Sequence, residues 1–189
     1  MKIATAILAL LCALAAAGTQ SAAAAERMIE KQVVVDAPIA EVWKSWTTRE
    51  GVMAFFAPDA RIEPRSGGLF EIQMNPYAEP GMRGADDMRF LALQEPTMLS
   101  FTWNAPPSHP EIRTQRTVVI VRLRALSPTQ TEVSLSHVGW GEGEKWDAVY
   151  AYFDRAWGNV LANLRKRYVD GPIDFKPFLE QLKSQTGKK

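Results

Sequence analysis

Thiols are almost missing from this chain: among 189 residues there is one cysteine, and there are only two histidines. Cys12 lies inside an apolar N-terminal run. Once that run is set aside, nothing is left to form a disulfide or act as a reactive thiolate. His109 and His137 are not at metal-ligand spacing and no thiolate can join them, so no metal site is expected. A phosphate-cradling glycine loop, a G-x-S-x-G elbow and a dinucleotide fingerprint are also missing, and no cofactor is expected. Charge of either sign is not in excess, with 22 Lys and Arg against 21 Asp and Glu; without Lys2 the balance is 21 against 21. Nucleic-acid binding needs a basic surplus. The cluster Arg165-Lys166-Arg167 instead suits the C-terminal end of a helix, where cations meet the negative end of the dipole. No nucleic-acid partner is expected.

What is present begins with MKIATAILALLCALAAAGTQSAAAA. A basic Lys2, an apolar run from Ile3 to about Ala17 and small residues up to Ala25 precede Glu26. That is the layout of a secretory signal peptide with an Ala-x-Ala cleavage site. A retained anchor is the rival reading, but the run is short for a bilayer span and no basic stop follows it. Residues 1–25 are therefore read as a signal peptide, 26–170 as one domain and 171–189 as a C-terminal tail. The expected location is periplasmic or secreted, with no stable membrane insertion after cleavage.

Beyond Glu26, MIEKQVVVDA has the texture of a strand. IAEVWKSW follows, with Ile39, Val42, Trp43 and Trp46 on one helical stripe, Asp36 as capping oxygen and Pro38 in the first turn. Thr47 and Glu50 predict a capping box for a second short helix that ends before Pro58. From Ala60 to Val138 short β-branched and aromatic runs alternate with turns such as Ser66-Gly67-Gly68 and Glu79-Pro80-Gly81. They predict strands near 60–65, 69–75, 86–94, 98–104, 113–125 and 130–138. Short connections favour antiparallel pairing, and with the first strand the sheet has about seven members. A long helix from about Glu144 to Tyr168 then carries Trp146, Val149, Tyr150, Phe153, Trp157, Val160, Leu161 and Leu164 at spacings of three and four. The tail is left unassigned.

The order strand, two small helices, antiparallel strands and long helix resembles the α+β helix-grip fold of the START-like (SRPBCC, Bet v 1-like) superfamily. The residues VVVDAPIAEVWKSWTTREGVMAFF, SGGLFEIQM, PTMLSFTW and TEVSLSHVGW, with the aromatic terminal helix, are similar to the branch of activator of heat-shock protein ATPase homologues, often called polyketide cyclase-like. They span about Arg27 to Val169. The resemblance implies a curved antiparallel sheet wrapped around the C-terminal helix, with a cavity between them that in many members takes an apolar small molecule. It fixes no single chemistry, because members bind lipids and hormones, cyclise polyketides or assist chaperones. An exported protein meets no cytosolic ATP-driven chaperone, so a heat-shock chaperone partner is not expected here.

Three polar residues in strands are the candidates for chemistry. Alternation in TEVSLSHVGW puts His137 on the face of Val133 and Leu135, toward the interior, where an imidazole can act as acid or base or simply be hydrogen-bonded by neighbours. Glu71 lies opposite the apolar Phe70, Ile72 and Met74. Arg89 shares its face with Leu91 and Leu93, an inward placement. Glu71 and Arg89 either meet as a buried pair that fixes a ligand group or form a solvated cross-strand pair. Arg116, Arg122 and Arg124 belong to an outer strand face. Trp103, Tyr150, Phe153 and Trp157 are the expected ligand-binding residues, with the stripe around Tyr150, Phe153 and Trp157 roofing a pocket. Three functions stay open: binding of an apolar small molecule; an enzyme (cyclase, hydratase or hydrolase) using His137 with Glu71 or Arg89; and a structural or interaction protein with a filled core.

Overall fold

A computed structural model of the protein describes residues 27–186; the proposed signal peptide lies outside the described residues. The elements are β1 (Ile29–Val35), α1 (Ile39–Thr47), α2 (Arg49–Met53), β2 (Asp59–Ile62), β3 (Phe70–Gln73), β4 (Gly84–Ala85), β5 (Phe90–Gln94), β6 (Met98–Trp103), α3 (Pro110–Arg113), β7 (Thr117–Ser127), β8 (Gln130–Val138), α4 (Glu144–Asp170) and α5 (Lys176–Thr186).

A five-stranded antiparallel sheet runs β1-β8-β7-β6-β5, and a three-stranded one runs β2-β3-β4. The two are joined where Leu69 bridges Arg89 and the Phe90 amide donates to the Gly68 carbonyl at 2.9 Å. The expected single sheet of about seven strands is thus two linked sheets of eight strands among the described residues. Its bend has a local cause. The stretch read as one strand over 86–94 breaks at Asp87, whose φ of 56° takes the backbone out of the extended region, and a bulge follows between Phe90 and Ala92.

Alternation places the core. β8 buries Thr131, Val133, Leu135 and His137 and β7 buries Thr117, Val119, Val121 and Leu123, while Arg116, Arg122 and Arg124 are exposed as expected. The helix α4 crosses this inner face with Trp146, Val149, Phe153, Trp157, Val160, Leu161 and Leu164 buried, and so the apolar stripe of the sequence is the surface the sheet grips.

The helix starts differ from expectation. Asp36 does not cap α1, because its Oδ1 accepts from Gln130 Nε2 at 2.8 Å; Pro38 is the N-cap and offers only its carbonyl. The cap of α2 is Thr48, whose Oγ1 accepts from the Gly51 amide at 3.0 Å, whereas Thr47 turns back to the Trp43 carbonyl. Gly51 has no room for a side chain, since a Cβ there would stand 2.1 Å from the Lys44 carbonyl oxygen. The tail forms α5 and is tethered by the Ile173 amide to the Ala54 carbonyl at 3.0 Å and by Lys183 Nζ, 5.1 Å from the centre of the Tyr77 ring. No helix among the described residues is long and apolar enough to cross a membrane.

Candidate functional site

A cavity of about 230 Å³ lies between α4 and the β3–β4 side of the sheet. Ile72, Gly84 and Ala85 form one wall, Trp103 and Asn104 at the end of β6 a second, and Tyr152, Phe153, Ala156, Trp157 and Val160 of α4 a third, with Phe56 behind. Its mouth carries the half-exposed Met74, Met82 and Tyr152. The back wall is a set of mutually braced rings. Trp103 stands 5.1 Å from Trp157, 6.3 Å from Phe153 and 6.0 Å from Phe56, centre to centre. Such contacts fix ring orientation before any ligand arrives.

Polar groups in this wall are few. The Trp103 Nε1 donor is buried without a hydrogen-bond partner. Asn104 is 4% exposed, and its carboxamide bonds to no described residue. A buried donor normally finds a partner, and one left unmet, as Trp103 Nε1 is among the described residues, costs about 1–3 kcal/mol. At the rim, Arg83 Nε donates to the Ala78 carbonyl at 3.0 Å.

The rim itself is held by an ion pair that the sequence reading missed. Asp86 accepts from the backbone amides of Gly81, Arg83 and Gly84 at 3.0–3.3 Å and meets Arg113 Nη2 at 2.9 Å. Arg113 also donates to the Gly81, Gly84 and Ala105 carbonyls. Burial draws the Arg113 guanidinium below its ordinary pKa, an effect Asp86 opposes. One cation therefore locks segment 81–86 against segment 104–107, the two sides of the mouth. No periodicity marks Arg113, because its partners are loop carbonyls distant in sequence.

His137 is fully buried, as alternation required, but it does not stand in the cavity wall. Trp157 Nε1 donates to its Nδ1 at 2.9 Å, which leaves Nε2 to carry the proton and donate to Thr117 Oγ1 at 2.7 Å. Burial pushes its pKa from 6.5 down to about 3, so at neutral pH it is an uncharged strut behind Trp157. No carboxylate is among its hydrogen-bond partners.

Glu71 and Arg89 do not bond to each other. Glu71 pairs with Arg61 at 3.1 Å and accepts from the Asp87 amide at 2.9 Å. The exposed Arg89 reaches the Gly67 carbonyl and Asp87 Oδ1, both at 3.0 Å. The inward placement of Arg89 is corrected: Met88 and Phe90 turn inside and Leu91 turns out, because Phe90 packs 4.9 Å from Phe70 within the core. Of the four expected ligand-binding residues, Trp103, Phe153 and Trp157 line the cavity. Tyr150 does not; its hydroxyl donates to the Met28 carbonyl at 2.9 Å and Arg27 stacks over its ring. The ring at the mouth is Tyr152, on the flank of the helical stripe. Among the described residues no group of side chains is arranged to hold a metal ion.

Comparison with known proteins places this geometry. The family model described as Activator of Hsp90 ATPase homolog 1-like protein matches residues 36–168, which contain the whole cavity wall and leave α5 outside. Similar solved structures include protein MLL2253 from Mesorhizobium loti, 20% identical with a TM-score of 0.60 over 74% of this chain and 95% of that one. The Aha1 dimer from Colwellia psychrerythraea is 17% identical with a TM-score of 0.60 over 77% and 98%. CalU16 from Micromonospora echinospora is 19% identical with a TM-score of 0.57 over 86% and 85%. At these identities the structures share the fold alone, and no curated protein sequence matches the chain. With a linked antiparallel sheet gripping one long helix, and a family match over most of its length, the chain belongs to the Activator of Hsp90 ATPase homolog 1-like family of the START-like superfamily.

Proposed function

We propose that this protein is an exported START-like domain that binds an apolar small molecule in the cavity between β3, β4, β6 and α4. The observation that carries the reading is the cavity wall itself: braced aromatic rings and aliphatic side chains, with the Trp103 Nε1 donor buried and without a partner among the described residues and Asn104 beside Trp103 in the chain. An apolar lining with a few placed polar groups is what small-molecule sites have in common. At about 30 Å³ per water-sized group the space of about 230 Å³ suits roughly eight such groups, a ligand body of about eight non-hydrogen atoms. His137, Glu71 and Arg89 do not converge, so binding is preferred to catalysis, and the open space favours binding over a purely structural role. Export rests on the N-terminal sequence, and with it go the absence of a cytosolic heat-shock chaperone partner and of stable membrane insertion; the absence of a nucleic-acid partner rests on the balanced charge.

Calorimetric titration with 3-phenylpropan-1-ol tests the binding reading. At about 0.5 kcal/mol per non-hydrogen atom, within the usual range for small ligands, its affinity is of the order of 0.1–1 mM. Filling the space with Ala156→Phe is expected to abolish binding without unfolding the protein. Equal binding by both proteins would overturn the proposal. Export is tested by the mass of the protein recovered from the periplasm or medium, expected to begin at Glu26; an uncleaved chain confined to the cytosol would contradict it.

A further inference from the structure

Two of the polar residues that line the cavity, Arg83 and Asn104, flank one clamp. Arg113 ties Ala105 to Gly81, Gly84 and Asp86, and this brings Arg83, next to Gly84, and Asn104, next to Ala105, to the same rim; both line the cavity. Phe56, Trp157 and Val160 supply an apolar remainder.

Arg83 differs from most cations of this surface. Lys31, Lys44, Arg49, Arg61, Arg65, Arg113 and Arg124 each face a carboxylate within 3.1 Å. Arg83 makes no ion pair among the described residues, and its only side-chain hydrogen bond runs from Nε to the Ala78 carbonyl. The nearest acid in sequence, Asp86, spends its oxygens on three backbone amides and on Arg113. The terminal nitrogens of Arg83 therefore keep their forked donor geometry, which matches a carboxylate. Asn104, whose carboxamide makes no hydrogen bond to a described residue, lines the same cavity.

Resting on the proposal that the cavity binds a small molecule, we infer that its ligand is an organic carboxylate. An apolar, ring-bearing body of about eight non-hydrogen atoms lies against Trp103, Phe153 and Trp157, with its anionic end paired to Arg83 and hydrogen-bonded by Asn104. The uncharged part supplies burial, and the rim selects the acid over neutral compounds of the same shape.

Two probes with one body separate these contributions: 3-phenylpropanoate and 3-phenylpropan-1-ol, titrated at low and at 0.5 M salt. The acid is expected to bind about tenfold tighter than the alcohol at low salt, with the margin shrinking at high salt as the charges are screened. Arg83→Gln is expected to erase the preference, Arg83→Lys to restore part of it, and Asn104→Ala to weaken the acid severalfold. Unchanged thermal midpoints show that the variants are folded. If acid and alcohol bind the wild type alike, or the acid keeps its margin in Arg83→Gln, the carboxylate assignment is overturned while the cavity reading stands. Binding of neither probe would overturn both.

Discussion

At the scale of single residues, His137 shows how burial converts a reactive group into a structural one. An imidazole with a proton donor on Nδ1 and a hydroxyl on Nε2 has no free nitrogen, and protonating Nδ1 would set two donors against each other across the bond to Trp157. Nitrogen NMR should therefore report a neutral ring, protonated on Nε2, from pH 8 down to pH 5; a ring that titrates near 6.5 would contradict this. The energetic consequence has a definite sign. With a folded pKa near 3 against 6.5 unfolded, the unfolded chain takes up a proton that the folded one refuses. His137 thus subtracts stability as pH falls below about 6.5, by about 1.4 kcal/mol for each pH unit. Urea unfolding at pH 6.5 and pH 5 measures it, and a flat response would contradict it. Replacing His137 by Ala strands the Thr117 hydroxyl and the Trp157 indole and opens a void, for a loss of about 2–4 kcal/mol in the same assay. The inward face of His137 was legible because β8 alternates without interruption. The identity of its partners was not, since Thr117 and Trp157 come from other elements.

At the scale of elements, the cavity mouth depends on a clamp rather than on regular structure. The two-residue strand β4 has little pairing of its own, and the 81–86 turn is held by Asp86, which accepts backbone amides on one side and Arg113 on the other. Asp86→Asn keeps the shape but loses the charge and one acceptor. The amides of Gly81, Arg83 and Gly84 are expected to exchange with solvent at least tenfold faster in that variant, with β7 and β8 unchanged; unaltered protection at those amides would contradict the clamp. Gly84 itself, with φ of 154° and a virtual Cβ 2.4 Å from the Ile72 carbonyl oxygen, has no room for a side chain in this wall. The long elements were legible in the sequence: α4 from its three-four spacing, β7 and β8 from alternation. The stretch 86–94 was not, because Arg89 and Leu91 share a face that turns out to be the outer one, and the bulge between Phe90 and Ala92 breaks the alternation that linked them to Leu93, which packs against the core. Tyr152 was missed for a related reason. The apolar stripe of α4 marks what the sheet covers, whereas a mouth is lined from the flank of that stripe.

At the scale of the whole molecule, the helix-grip architecture was legible by resemblance: one strand, two short helices, an antiparallel run and a long amphipathic helix, in that order, are similar to the START-like superfamily, and the burial of each apolar face is consistent with it. The join between the two sheets was not foreseeable, since it depends on a kink rather than on composition. Gripping one aromatic helix with a bent sheet puts the space where the sheet departs from the helix, on the β3–β4 side. Ring contacts keep that space from collapsing, and the family match spans every residue of its wall. The central claim is that this space is a binding site for an apolar body. The most direct measurement is a carbon–proton NMR titration of the labelled protein with 3-phenylpropan-1-ol. Saturable shifts confined to Phe56, Ile72, Trp103, Phe153, Ala156, Trp157 and Val160 are predicted; shifts scattered over the surface, or none that saturate, would contradict it.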